Sequence, residues 1–132
     1  MLGHSQGAIL IAALLALRRT PFHPSVGYIM NGVSFPNPYA RQLESLSKDD
    51  NGGNDNDGDR SCGSPKVLFV FGRRDKITPN SSGEQLRDLL AKGGVAVSSC
   101  YHDGGHGFPE EDEGDEVMRM ITEWILLHER EK

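Results

Sequence analysis

The chain has 132 residues, with 14 Lys and Arg against 19 Asp and Glu and a formal net charge of −5, which is one domain or part of a larger one. The acidic residues cluster and no basic stripe exists to neutralise phosphates, so neither nucleic acid nor an anionic membrane surface is the expected partner. No apolar run approaches the ~20 residues that span a bilayer, and two cysteines without metal spacing, Cys62 and Cys100, point to a reduced, cytoplasmic setting.

The chain opens on Gly3-His4-Ser5-Gln6-Gly7, a G-x-S-x-G spacing that belongs between a strand and a helix, with only Met1 and Leu2 ahead of it. From Gln6 to Arg19 an alanine- and leucine-rich run, apolar almost all round, predicts a helix buried on more than one side. Arg18 and Arg19 complement the negative end of its dipole, and Pro21 stops it. Ser25 to Phe35 reads as a buried strand ended by Pro36 and Pro38.

Between Ser45 and Pro65 the composition turns to Asp, Asn and Gly with one leucine, which predicts a disordered insertion within the domain 1–132. Asp55, Asp57 and Asp59 alternate as a calcium loop begins, but Arg60 and Lys66 stand where that loop needs glycine and glutamate, so no metal site is expected.

Lys66 to Gly72 is a continuous apolar run expected to be a strand buried on both faces. A polar turn leads into the helix SSGEQLRDLLAKGG, with Leu86, Leu89 and Leu90 on one face and Gly93 as its cap. Asn80-Ser81-Ser82, formally a glycosylation sequon, reads better as that helix start. Val95 to Tyr101 is a further strand, followed by the loop HDGGHGFPEEDEGD. A last amphipathic helix, about Glu113 to His128, is expected to present Val117, Met120, Ile121, Trp124, Ile125 and Leu127 to a core. Strands alternating with helices argue for an α/β protein: a parallel sheet of about three strands flanked by helices.

In a turn of the opening type the serine is lifted into the open at a strand's carboxyl end. Glycines two before and two after it relieve collisions with neighbouring elements. The Gln6 N–H and the positive helix end lie beside a reacting carbonyl. Serine needs a base, and the base an orienting acid. Asp75 lies three residues past the end of the second long strand, and His106 five past the end of the third, in the chain order Ser, Asp, His. Asp103 is an alternative acid and His102 an alternative base. His4 is read as lining a pocket or packing, His23 and His128 as surface residues, Asp49 to Asp59 as a solvated run, and Trp124 as core.

GHSQGA, GRRDKITPNSSGEQL and HDGGHGFP together resemble the FSH-type serine hydrolases, an α/β-hydrolase family related to small carboxylesterases and acyl-protein thioesterases. Gly72-Arg73-Arg74-Asp75 with Pro79 fits that family's G-x-x-D-x-x-x-P segment, and His102 to His106 its H-x-G-G-H segment; the resemblance covers residues 2–44 and 65–127. It implies Ser5 as nucleophile, Asp75 as acid, His106 as base and Gln6 as an oxyanion donor, with a small-molecule ester or thioester as substrate and no cofactor. Two departures accompany it. His4 stands where phenylalanine is usual, and the family's earlier strands and the loop giving its second oxyanion N–H precede the elbow. The chain thus resembles the carboxyl-terminal half of a hydrolase. Weak or no activity is expected of it alone, with Ser25 to Phe35 left as an exposed sheet edge. The pocket for the acyl group is expected in the preceding half and in residues 33–44. A thioesterase or lysophospholipase-like specificity is the nearest alternative, and a non-catalytic, partner-binding remnant the alternative of a different class.

Overall fold

The computed structural model describes residues 1–17, 27–46, 65–108 and 111–129. Its elements run β1 (Leu2–His4), α1 (Gln6–Ala16), β2 (Tyr28–Asn31), a 3-10 turn (Asn37–Tyr39), α2 (Ala40–Leu46), β3 (Lys66–Gly72), α3 (Asn80–Lys92), β4 (Ala96–His102) and α4 (Glu111–Glu129). Arg18, Arg19, Pro21, His23, Ser25, Cys62, the three aspartates of the discarded calcium loop and nearly all of the Asp/Asn/Gly-rich stretch lie outside the described residues.

The four strands form one parallel sheet in the order β1-β2-β3-β4. Met1 and Leu2 are enough to add a strand to the three expected: Leu2, Gly3 and His4 pair with Ile29, Met30 and Asn31. The Met1 ammonium donates to Gly27 O at 2.7 Å and Ile29 N–H to Met1 O at 2.8 Å, which extends the pairing by a residue. The expectation that the Ser25 to Phe35 strand forms the edge is therefore corrected. The described strand is short, Tyr28–Asn31, and lies inside the sheet, with β1 outside it.

β3 shows why both faces are covered. Its side chains alternate, so Val67, Phe69 and Phe71 join one core cluster with Ala8, Ile11, Met30, Leu43, Leu86 and Leu90. Leu68 and Val70 join the other with Cys100, Val117, Ile121 and Trp124. Helices α1, α2 and α3 thus cover one face and α4 the other. α1 is buried around more than half of its circumference, through Ala8, Ile11, Ala12, Ala13, Leu15 and Ala16, with Leu10 left 60% exposed. Along α4 the expected face is narrower than its sequence suggested: Val117, Ile121 and Trp124 are buried, whereas Met120 and Leu127 are exposed. Helix α2 was not anticipated; it anchors through one fully buried residue, Leu43. The sequon is a helix start: Asn80 opens α3, its Nδ2 donating to Gly72 O, and Ser82 Oγ accepts from Phe35 N–H at 2.8 Å. Gly93 follows α3 as its cap, but the left-handed conformation falls one residue later, at Gly94 with φ 79°.

Candidate active site

Ser5 sits between β1 and α1 with φ 50° and ψ −113°, and among the described residues it is the one non-glycine with positive φ. A backbone held there costs on the order of 1–3 kcal/mol, so neighbours must impose it. They do: Ser5 N–H donates to Asn31 O at 2.9 Å across the strand ends, and Ile9 N–H to Ser5 O at 3.1 Å. The two flanking glycines differ. A Cβ on Gly3 would stand 2.7 Å from the Gly7 backbone and from Ile11 Cδ1, so only glycine fits. A Cβ on Gly7 would meet nothing within 4 Å, which corrects the expectation that both glycines relieve collisions. Gln6 is the first residue of α1, where an N–H has no intrahelical acceptor and is left for another group.

The loops after β3 and β4 are zipped together. Gly72 pairs with His102, Arg73 N–H donates to His102 O, and Arg74 N–H donates to Gly104 O. A Cβ on Gly72 would run into the backbone carbonyls of Gly105 and Gly104, so this approach needs glycine. The zipper brings Asp75 and His106 together: His106 Nδ1 and Asp75 Oδ2 are 2.8 Å apart, with the side chains 14% and 1% exposed. Asp75 Oδ1 accepts from the N–H groups of Ile77 and Thr78, each at 2.8 Å. Burial pushes the Asp75 carboxyl up, but the bonds from Thr78, His106 and Ile77 outweigh it, and the net shift is below the ordinary carboxylate range. A carboxylate only accepts, so the proton of this bond belongs to His106 Nδ1, and in the neutral ring Nε2 is the nitrogen that carries the lone pair.

The imidazole of His106 lies over Gly32. A Cβ there would be 2.9 Å from its Cε1 and 3.0 Å from its Nδ1, and Gly32 itself has φ 58°. On the serine side the ring faces His4, with centroids 5.1 Å apart, and His4 in turn lies 5.8 Å from the Phe108 ring. His106 is therefore flanked by the residue before Ser5 and by the strand end that binds the Ser5 amide. Among the described residues Ser5 Oγ makes no hydrogen bond.

The alternatives to Asp75 and His106 are engaged elsewhere. Asp103 pairs with Arg73 at 2.8 Å on the surface. His102 is buried and its Nδ1 accepts from Gly104 N–H, which shapes the loop. His128 is not a bare surface residue: its ring lies tilted against Trp124 with centroids 4.6 Å apart, its Nδ1 is 2.7 Å from Trp124 O, and Trp124 is core as expected. Cys100 is buried beneath α4, and burial pushes its thiol up to about 11, which keeps it unreactive. No group of His, Cys, Asp or Glu among the described residues has the arrangement of a metal site, and no described helix is long and apolar enough to cross a membrane. Of the segment expected to shape a pocket, Val33 and Leu43 are buried in the core and Phe35 and Tyr39 pack against it.

Asn31 is the residue that the sequence did not single out. It is 1% exposed, its Nδ2 lies 2.8 Å from His4 Nδ1, and it donates at 3.3 Å to His106 O. A lone asparagine ending an apolar strand carries no spacing signal. Only its position opposite His4 in the sheet reveals it.

A parallel sheet covered by helices on both faces, with serine, aspartate and histidine at the carboxyl ends of its strands, is the architecture of an α/β-hydrolase. The chain belongs to the serine hydrolase (FSH1) family, whose model matches residues 1–118. Among solved structures it is similar to the carboxylesterase of Bacillus cereus (19% identity, TM-score 0.60), covering 96% of this chain and 48% of that one. It is also similar to MGS-M1, an α/β-hydrolase enzyme from a Medee basin deep-sea metagenome library (14% identity, TM-score 0.61; 98% and 53% covered). A third similar structure is a protein of unknown function from Agrobacterium tumefaciens (21% identity, TM-score 0.56; 93% and 50% covered). The chain thus spans about half the length of these proteins. No curated protein matches it.

Proposed function

We propose that this chain carries the reacting groups of a serine hydrolase that cleaves carboxylic esters or thioesters, with Ser5 as nucleophile, His106 as general base and Asp75 as orienting acid. The observation that supports it is the buried 2.8 Å contact of His106 Nδ1 with Asp75, beside a serine held at φ 50°. In this reading His106 Nε2 takes the Ser5 hydroxyl proton as Oγ bonds to the acyl carbon. The Gln6 N–H donates to the carbonyl oxygen as it gains negative charge. The imidazolium then protonates the departing alkoxide or thiolate, and an acyl-serine remains. Water, losing its proton to His106, attacks that acyl group and releases the acid, restoring Ser5. Asp75 holds the tautomer and stabilises the imidazolium throughout. Within this class the fit is to a carboxylesterase, with an acyl-protein thioesterase or lysophospholipase as the neighbouring specificity.

The Gln6 N–H is the one oxyanion donor assigned here, and an oxyanion hole short of one donor is slower by about 10²–10³-fold. Turnover by this chain is therefore expected to be slow, and covalent labelling the more sensitive readout. A fluorophosphonate probe is expected to form an adduct that maps to Ser5 and is absent from Ser5→Ala. Hydrolysis of a short p-nitrophenyl ester should fall at least about 10³-fold in the same variant. Equal rates and no adduct would favour the second reading, a non-catalytic, partner-binding domain. One observation stands on that side, the missing hydrogen bond from Ser5 Oγ to His106, although such bonds often form only once substrate is bound.

A further inference from the structure

Asn31 ends β2 fully buried, at a position where an apolar residue would satisfy the sheet. Its side-chain oxygen has no hydrogen-bond partner among the described residues, and leaving a buried acceptor unpaired costs about 1–3 kcal/mol. What Asn31 contributes is therefore carried by its other polar atoms, and two of these, the backbone carbonyl and Nδ2, reach the candidate site. Its carbonyl accepts from Ser5 N–H at 2.9 Å. Its Nδ2 lies 2.8 Å from His4 Nδ1 and 3.3 Å from His106 O.

The amide orientation follows from these partners. The His106 carbonyl can only accept, so the side-chain atom facing it is the NH₂ group, and the other hydrogen of that group points to His4 Nδ1. His4 Nδ1 must then be an acceptor, which makes His4 a neutral imidazole protonated at Nε2. His106, bonded through Nδ1 to Asp75, is the opposite tautomer. With centroids 5.1 Å apart, a second imidazolium at His4 would oppose the positive charge that His106 takes up when it accepts a proton.

We propose that Asn31 is a positioning residue that holds His4 as the neutral Nε2–H tautomer and pins the His106 loop to the Ser5 turn, through one side-chain amide bridging His4 Nδ1 and the His106 carbonyl. Its consequence for reaction rests on the triad reading above, but the tautomer pattern does not, so the two are tested apart. Long-range ¹H–¹⁵N spectra of the full chain, labelled on histidine nitrogens, read both tautomers directly. The wild type should show His4 protonated at Nε2 and His106 at Nδ1. Asn31→Leu, similar in size and without a donor, should leave His4 a mixture of tautomers and shift the His106 resonances. Should that variant fail to fold, Asn31→Asp, which keeps the shape, carries the test. Its carboxylate can only accept, so His4 should move to the Nδ1–H form. Where fluorophosphonate labels Ser5 in the wild type, the labelling rate should drop on the order of 10-fold or more in either variant, as expected for a displaced base. Unchanged His4 and His106 signals in a folded variant would overturn the proposal. Absence of labelling in the wild type, with the tautomers as described, counts against the triad and leaves the role of Asn31 supported.

Discussion

Asp75 uses its two carboxylate oxygens for different purposes, which makes the proposed catalytic role and the structural role separable at one position. Oδ2 accepts from His106, while Oδ1 closes an Asx-type turn by accepting from Ile77 and Thr78. In Asp75→Asn the remaining oxygen can still close the turn, but the NH₂ group faces His106 Nδ1 and drives the ring to the wrong tautomer. Labelling of Ser5 is expected to slow by about 10⁴-fold with little change in melting temperature. In Asp75→Ala the turn also loses its acceptor, and an orphaned N–H at Thr78, which is buried, adds a loss of about 1–3 kcal/mol in denaturant unfolding. Equal melting temperatures for the two variants would argue against the turn-closing role. The pH dependence has a definite sign. The folded Asp75 carboxyl is shifted down, so its contribution is fully present above the ordinary carboxylate value of about 4 and is lost as pH falls through the lower folded value. Denaturant midpoints followed downward from neutral pH should therefore decline more steeply in the wild type than in Asp75→Asn.

At the scale of elements, the turn between β1 and α1 rests on one glycine rather than two. Gly3 faces the Gly7 backbone and Ile11 at 2.7 Å, whereas the space beyond Gly7 is open. Gly3→Ala should therefore destabilise the fold and distort the turn. Gly7→Ala, in the first turn of a helix, should be neutral or stabilising by up to about 1 kcal/mol through backbone entropy. Thermal melts of the two variants check this, and a loss of stability in Gly7→Ala would show a contact at that position. The same elements explain what could be read without coordinates. The approach of Asp75 to His106 was legible because each follows a β-prone run at a short, local distance, with glycines that mark close backbone approach. β3, α3 and α4 were legible through their length and periodicity. β1 was not, because three residues carry no period and the strand exists only through its pairing with Ile29, Met30 and Asn31. α2 was hidden by two preceding prolines and the polar composition after it, and a single Leu43 anchors it. Asn31 was invisible for the same reason as β1: its importance is a matter of which residue lies across the sheet.

For the molecule as a whole, the outer side of β1 decides how this chain behaves in solution. Among the described residues β1 has a strand partner on one side only, and an edge with free N–H and C=O groups is a template for another chain. Next to it an apolar groove of about 530 Å³ runs between the β1 edge and α4, lined by Met1, Leu2, Ile29, Phe108, Ile121 and Trp124 among others. Met1 and Leu2 are more than half exposed there, at 54% and 58%, and Leu10 on α1 stands at 60%. The net charge of −5 gives some mutual repulsion between copies, but among the described residues no charged side chain lines this groove. A hydrophobic rim beside an unpaired edge outweighs a diffuse charge at short range, because screening at physiological salt limits repulsion to about 8 Å while the apolar contact is made at the surface itself. The chain is thus expected to self-associate as its concentration rises. Leu2→Lys places a charge on the edge without touching Ser5, Asp75, His106 or Asn31, and should shift sedimentation and light scattering toward the monomer. It should also leave the rate of fluorophosphonate labelling within about twofold, since surface substitutions away from a site change little. Unaltered association in Leu2→Lys would place the sticky surface elsewhere, with exposed Leu10 on α1 the next position to charge.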